Sequence, residues 1–153
     1  MPRGWATRQS EMTEEELKAG GWYRLPTVRY SAALGPIWVR IADDGPEMGL
    51  EAQEHLGNDS FGIVHGGAIM TFADMALGFA VGYAVRGKSS FADTEAAGFV
   101  TAQLQVHFTS AGQVGSFIRA KPEVVRKTSQ LVFVRTLIEA EGRTITRRIA
   151  IVR

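Results

Sequence analysis

The stretch that decides the fold is HGGAIMTFADMALGFAVGYAVR, residues 65–86. Between His65 and Arg86 stand twenty residues whose one carboxylate is Asp74. Such a run could span a bilayer, and Gly78-x-x-x-Gly82 has the spacing by which membrane helices pair. An Asp at mid-segment, however, costs about 2.5–3.5 kcal/mol on insertion, and four glycines with much alanine reduce the gain. The other reading is a helix buried on every side by a strongly curved antiparallel sheet, with Gly78 and Gly82 letting the sheet approach closely. The flanking sequence selects this second reading, and no membrane segment is expected.

Downstream the period changes to two. Val100, Ala102, Leu104, Val106 and Phe108 point one way, and Thr101, Gln103, Gln105, His107 and Thr109 the other, as in a half-buried strand. Further strands are expected at Ser116–Lys127, Gln130–Glu141 and Arg143–Val152, with turns at Gly112–Gly115, Thr128-Ser129 and Glu141-Gly142. Pro122 requires an edge or a bulge in the first of these. Upstream, Ile37–Ala42 and Met48–Gln53 flank the turn cluster Asp43-Asp44-Gly45-Pro46 and form a hairpin. Residues 54–64 read as a loop centred on Gly57-Asn58-Asp59. Thr13 and Glu16 make a capping box for a short helix that stops at Gly20-Gly21. Residues 22–36 hold three aromatics and two prolines without a period, which reads as a packed loop. The expected fold class is α+β: a curved antiparallel β-sheet around one long central α-helix.

The chain has 153 residues, 45% of them apolar and 22% charged, and no cysteine. One domain suits that length. The absence of cysteine removes disulfide scaffolds, thiolate zinc sites and a Cys nucleophile. The net charge of +1 gives no basis for a nucleic-acid binder. It also hides an asymmetry. Residues 1–85 carry six Lys/Arg and eleven Asp/Glu, a sum of −5, and residues 86–153 carry eleven and five, a sum of +6. The basic half reads either as solvated strand faces or as a weak field for a small polyanion.

Two features carry chemistry. A carboxylate among Met70, Phe72, Ala73, Met75 and Leu77 is costly unless it is paired or functional, which singles out Asp74. His65-Gly66-Gly67 opens the helix, where free N–H groups and the helix dipole favour developing negative charge; a turn needing positive φ would use the same glycines. Gly66 and Asp74 are eight residues apart, about 12 Å along one helix. No single reacting carbonyl touches both, so a shared substrate requires two copies of the helix across a two-fold axis. A dimer is therefore the minimum active unit.

These residues resemble a known signature. Asn58…Gly62-Ile63-Val64-His65-Gly66-Gly67-Ala68-Ile69-Met70-Thr71-Phe72-Ala73-Asp74 is similar to that of hotdog-fold thioesterases of the phenylacetic-acid-degradation (PaaI-like) type, and Thr101-x-x-Leu104-x-Val106-x-Phe108 resembles the strand after their helix. The likeness covers about residues 34–152. It implies a hotdog domain over 34–153, preceded by an N-terminal extension over 1–33 with its short helix. It further implies hydrolysis of aryl-, phenylacetyl- or medium-chain acyl-CoA to the free acid and CoA. Asp74 would then act as nucleophile or general base, the Gly66 N–H would polarise the carbonyl, and His65 would fix that turn. Asn58 would orient water or the departing thiolate from the other subunit, and Thr101 would position the attacking water from a face turned away from its own helix. The family's Asn stands six residues before the His, whereas Asn58 stands seven before His65 and Asp59 occupies the sixth place. For the substrate, Arg126-Lys127 with Arg86 and Lys88 offer contacts to the CoA phosphates, each also readable as surface solvation. Gly67, Met70, Leu77, Gly78 and Val81 line an acyl pocket or are simply core.

No Gly-x-Ser-x-Gly, phosphate-loop or His-Glu-x-x-His motif is present, and the three histidines are poorly spaced for a metal. No metal and no separate cofactor are expected, with coenzyme A entering only as part of the substrate. The N-terminal residues, with Arg3, Arg8 and Ser10 before Glu11, lack a secretory apolar region, and the expected setting is a cytoplasmic homodimer or homotetramer. The rival function is a non-catalytic acyl-CoA-binding or regulatory hotdog protein, which would need no carboxylate.

Overall fold

The structure is a computed structural model that describes residues 12–86, 100–140 and 143–152. The elements run α1 (Glu14–Ala19), β1 (Tyr23–Leu25), β2 (Ile37–Ala42), β3 (Gly45–Glu51), α2 (Gly66–Arg86), β4 (Thr101–Phe108), β5 (Phe117–Lys127), β6 (Val132–Ala140) and β7 (Arg143–Val152). All strands join one antiparallel sheet in the order β1-β2-β3-β5-β6-β7-β4. The apolar run is the helix α2, which begins at Gly66 and packs against β3, β5, β6, β4 and β7.

Two groups of side chains tie α2 to the sheet. Ile69, Phe72, Ala73 and Ala76 pack with Ile37, Leu50, Ile118, Ile138 and Ile145. Leu77, Ala80 and Val81 pack with Val134, against which Leu104, Val124 and Val132 also lean. Full burial of each large side chain contributes roughly 1.5–3 kcal/mol. The opposite face of the sheet carries a smaller core, in which Leu17 of α1 meets Trp22 and Trp38, with Phe117 packed against them. Trp22 and Phe117 meet edge to face with ring centroids 5.3 Å apart, and the Arg40 guanidinium lies 4.6 Å from the Trp22 ring centroid. Gly49 makes room for this ring, because a Cβ there would meet the tip of Phe117 and force it to move.

Several local expectations take their observed form. Thr13 and Glu16 form the reciprocal capping box, and α1 ends at Gly20. Thr128 closes the β5–β6 turn, its Oγ1 accepting from the N–H groups of Gln130 and Leu131. Other expectations are corrected. The β2–β3 turn is Asp43-Asp44 alone, and Gly45 and Pro46 already pair in β3. The segment 22–36 is not only loop: Tyr23–Leu25 pair with Val39–Ile37 and add an edge strand, and Arg29–Leu34 form a 3-10 turn. Pro122 sits inside the sheet order, but β3 stops pairing with β5 at Ala120, so β5 is locally an edge at Pro122. The bulge comes later, between Val124 and Arg126.

The helix is not enclosed on every side within one chain. Gly67 and Met70 are exposed, and Thr71, Asp74 and Gly78 are half-buried, so one stripe of α2 is open. The space beside Gly82 is taken by Arg86 of the same helix, 3.4 Å from an added Cβ, rather than by a strand. Strand β4 is likewise barer than a half-buried strand, with Leu104 and Val106 half-covered and the rest exposed. By length and composition α2 could cross a membrane, with a mean hydropathy of 1.6. Here its apolar side lies on the sheet.

Candidate active site

The start of α2 is pinned from two sides. Residues 54–64 fold back so that Gly57 bridges to Val64, and the Asn58 N–H reaches the Ile63 carbonyl at 2.7 Å. The His65 N–H then donates to Leu56 at 2.7 Å, and the Val64 N–H donates to Gly112 at 2.9 Å. The His65 ring caps the helix: the Gly67 N–H donates to Nδ1 at 2.9 Å. An imidazole serves as this acceptor only in its neutral form. With the Gly67 donor occupied, the Gly66 N–H has no acceptor among the described residues and stays free at the positive end of the helix dipole.

Gly66 lines a cavity of about 370 Å³ with Ile63, Val64, Ile69, Phe108, Ala111 and Ile145, and Ser110 supplies the one side-chain hydroxyl of that lining. Phe108 closes it against the helix, 3.5 Å from where a Cβ on Gly66 would stand. A larger cleft of about 600 Å³ lies on the sheet face that carries α1, bordered by Lys121, Glu123, Arg135 and His107, none of them among the residues singled out as site candidates.

Asp74 is half-buried on the open stripe. Its Oδ1 accepts a hydrogen bond from the Thr101 hydroxyl at 2.6 Å, and no described cation pairs with it. This corrects the expected orientation of Thr101, which faces its own helix. The cause is a β-bulge: Thr101 pairs with Val152 and Gln103 with Ile151, so Ala102 is an extra residue. Beyond it the alternation resumes, with Leu104 leaning toward Leu77 and Val81.

The remaining candidates fall in three places. Asn58 is half-buried and accepts the Ser60 N–H on its Oδ1 at 3.0 Å, while Asp59 is exposed at the loop tip. Leu77 and Val81 are core, not pocket lining, whereas Met70 and Gly78 border the open stripe. Arg126 and Lys127 are exposed at the end of β5, beyond Val124, which packs near Leu77 and Val81. Lys88, the N-terminal residues Arg3, Arg8, Ser10 and Glu11, and the Glu141-Gly142 turn lie outside the described residues. Among the described residues no group of three or more His, Asp or Glu side chains is placed to hold a metal. The chain thus joins Asp74 to Thr101 and His65 to Gly67, while Gly66 and Asp74 stay two turns apart on α2.

One apolar helix held by a seven-stranded antiparallel sheet of this order is the hotdog fold. The Thioesterase superfamily profile matches residues 61–146, and the chain belongs to that superfamily. No curated protein matches the sequence. Among solved structures, thioesterase superfamily member 2 from zebrafish superposes with a TM-score of 0.67 at 20% identity, covering 82% of this chain and 86% of its own. A Bacillus halodurans protein solved with CoA gives 0.64 at 23% identity, covering 82% and 76%. The Escherichia coli PaaI protein of the phenylacetic acid degradation operon gives 0.63 at 20%, covering 82% and 83%.

Phe108 and Thr71 are site neighbours that the sequence reading passed over as functional residues. Phe108 was legible, since it ends the inward series of β4 two residues before Ser110-Ala111-Gly112. Thr71 offered no signal beyond its place one helical turn from both Gly67 and Asp74.

Proposed function

We propose that this chain hydrolyses acyl-CoA thioesters to the free acid and CoA, at sites each built from two subunits. The carrying observation is that Gly66, whose N–H has no acceptor among the described residues, lines an apolar cavity at the start of the same helix that presents Asp74. The superfamily membership and the CoA in the Bacillus halodurans structure support the substrate class.

The thioester carbonyl lies against the Gly66 N–H of one subunit, which stabilises the oxyanion as the carbon becomes tetrahedral. Asp74 of the other subunit takes a proton from the attacking water, or attacks the carbon itself to form a mixed anhydride. The C–S bond then breaks and the thiolate of CoA leaves: by the first route it takes up the proton that Asp74 accepted, and by the second, water opens the anhydride, releases the acid, restores the carboxylate and supplies that proton. Thr101 holds one carboxylate oxygen and aims the other. Asn58, through its amide NH2, orients water or the leaving thiolate. Arg126 and Lys127 meet the CoA phosphates. The open stripe of α2 and the edge of β4, unpaired among the described residues, are the surfaces through which the second copy joins.

The test is thiol release from benzoyl-, phenylacetyl- and octanoyl-CoA by the purified chain, with the mass measured by light scattering. Turnover by a dimer or larger assembly is expected. An active monomer overturns the shared site, and tight binding without thiol release replaces the enzyme with the non-catalytic acyl-CoA-binding protein.

A further inference from the structure

We infer that Phe108 is the specificity-determining wall of the cavity beside Gly66: its ring contacts the acyl group and confines it to a compact aryl acid; this rests on the thioesterase reading above. Phe108 ends β4, opposite Thr146 of β7, and its ring turns toward α2 rather than along the edge given to the second copy. The three atoms nearest to a Cβ built on Gly66 are its Cζ, at 3.5 Å, and its two Cε atoms, at 3.9 Å. The ring thus stands with its tip against the helix start.

Backbone bonds, not core packing, put it there. The Thr109 N–H donates to the Ile145 carbonyl at 3.1 Å and the Thr109 hydroxyl to the Thr144 carbonyl at 3.3 Å, while the Gly112 carbonyl accepts from Val64. Phe108 joins none of the apolar clusters formed by the described residues and is 50% exposed. It therefore contributes less to folding than a core ring would, and gains a further apolar neighbour when the cavity is filled.

The other walls yield less. Val64, Ile69 and Ile145 are buried in the main core, and β-branching restricts each of them to few rotamers. Ala111 and Gly112 have no rotamer to change. Of the large lining residues only Ile63 and Phe108 lie outside that core, and it is the ring of Phe108 that stands against Gly66. None of Gly67, Met70 and Asp74 lines the cavity, so its described walls are separate from the stripe assigned to the second copy.

A size and a class follow. A cavity of about 150 Å³ accommodates benzene. The cavity of about 370 Å³ therefore admits an aryl group whose carbonyl is held at Gly66, and Phe108 offers that aryl group an aromatic partner. A fused-ring acyl group meets the same ring as an obstacle.

The experiment measures kcat/KM for benzoyl-, octanoyl- and 2-naphthoyl-CoA in the wild type, Phe108→Ala, Phe108→Leu and Phe108→Trp. Melting temperature and light-scattering mass verify folding and assembly of each. The wild type is expected to prefer benzoyl- to 2-naphthoyl-CoA. Phe108→Ala should raise the naphthoyl-to-benzoyl ratio about tenfold, within the range that pocket-size changes produce. Phe108→Leu should raise it less, and carries the test if Phe108→Ala does not fold or assemble; Phe108→Trp should lower it. An unchanged ratio in the variants that fold, an equal loss on both aryl substrates, or a wild type that hydrolyses octanoyl- but not benzoyl-CoA overturns the inference. Absence of thiol release from all three substrates by the wild type instead removes the thioesterase reading beneath it.

Discussion

The two ends of the sheet are finished differently. Around β2 and β3 both faces are covered from within the chain: Leu50 packs under α2 and Trp38 under α1, at 0% and 1% exposure. Along β4 no residue is buried, and Phe108 is half exposed. The residues that can do chemistry border the second end, Asp74 through Thr101 of β4 and Gly66 through Phe108. Burial is concentrated where the chain covers its own sheet, and the proposed chemistry where it does not. An unpaired edge strand invites pairing with another chain, so the open end suits the two-subunit site proposed above.

Substitutions at the two ends should separate these roles. Asp74→Asn is expected to lower kcat on acyl-CoA by about 10³-fold, in the range set by loss of a positioned acid–base group, with an unchanged melting temperature. Retained turnover would remove Asp74 from the chemistry. At the closed end, Trp38→Ala should cost about 3–5 kcal/mol in urea unfolding, through the cavity left among Leu17, Trp22 and Phe117. Its kcat at low temperature should stay near wild type; a matching fall in kcat would show that the ends are coupled.

The smallest effect is at α1. Thr13→Ala should destabilise by about 1 kcal/mol through loss of the cap. The Thr13 N–H and hydroxyl hold the Glu16 carboxyl below its ordinary range. A carboxylate depressed by folding stabilises above its unfolded pKa and ceases to do so as pH falls through the folded one. Protection of the Glu16 and Leu17 amides against hydrogen exchange should therefore fall below the ordinary glutamate range in the wild type, persist in part in Thr13→Ala, whose backbone N–H still reaches Glu16, and lose that pH dependence in Glu16→Gln.

The long elements were legible because their signals are local and repeated. The apolar run with a glycine pair at its head marked α2, and the Thr13–Glu16 spacing marked α1 to the residue. The likeness of His65-Gly66-Gly67 and Asp74 to the thioesterase signature marked the superfamily. What escaped was non-local. Tyr23–Leu25 are a strand only because β2 offers an edge. The open stripe of α2 is invisible to composition, since Gly67, Met70 and Gly78 are as apolar as the buried face. The orientation of Thr101 failed for a definite reason: counting by twos assumes uninterrupted pairing, and β4 breaks it at Ala102.

That single extra residue has a consequence for how the site can be lost or built. Regular alternation sends Thr101 and Leu104 to opposite sides, yet both are needed beneath the helix, one for Asp74 and one for the core. Ala102 works as a spacer in a gear train: its own side chain is dispensable, and what counts is that no residue of β7 stands opposite it. Removing it leaves Thr101 opposite Val152 and two places from Leu104, still on the same side, whereas one residue added to β7 opposite it restores strict alternation and turns Thr101 outward. Lengthening β7 in this way would disarm Asp74 while deleting none of the groups assigned to the reaction. In homologous chains, the relative lengths of these two strands are thus as informative about the site as the identity of their residues.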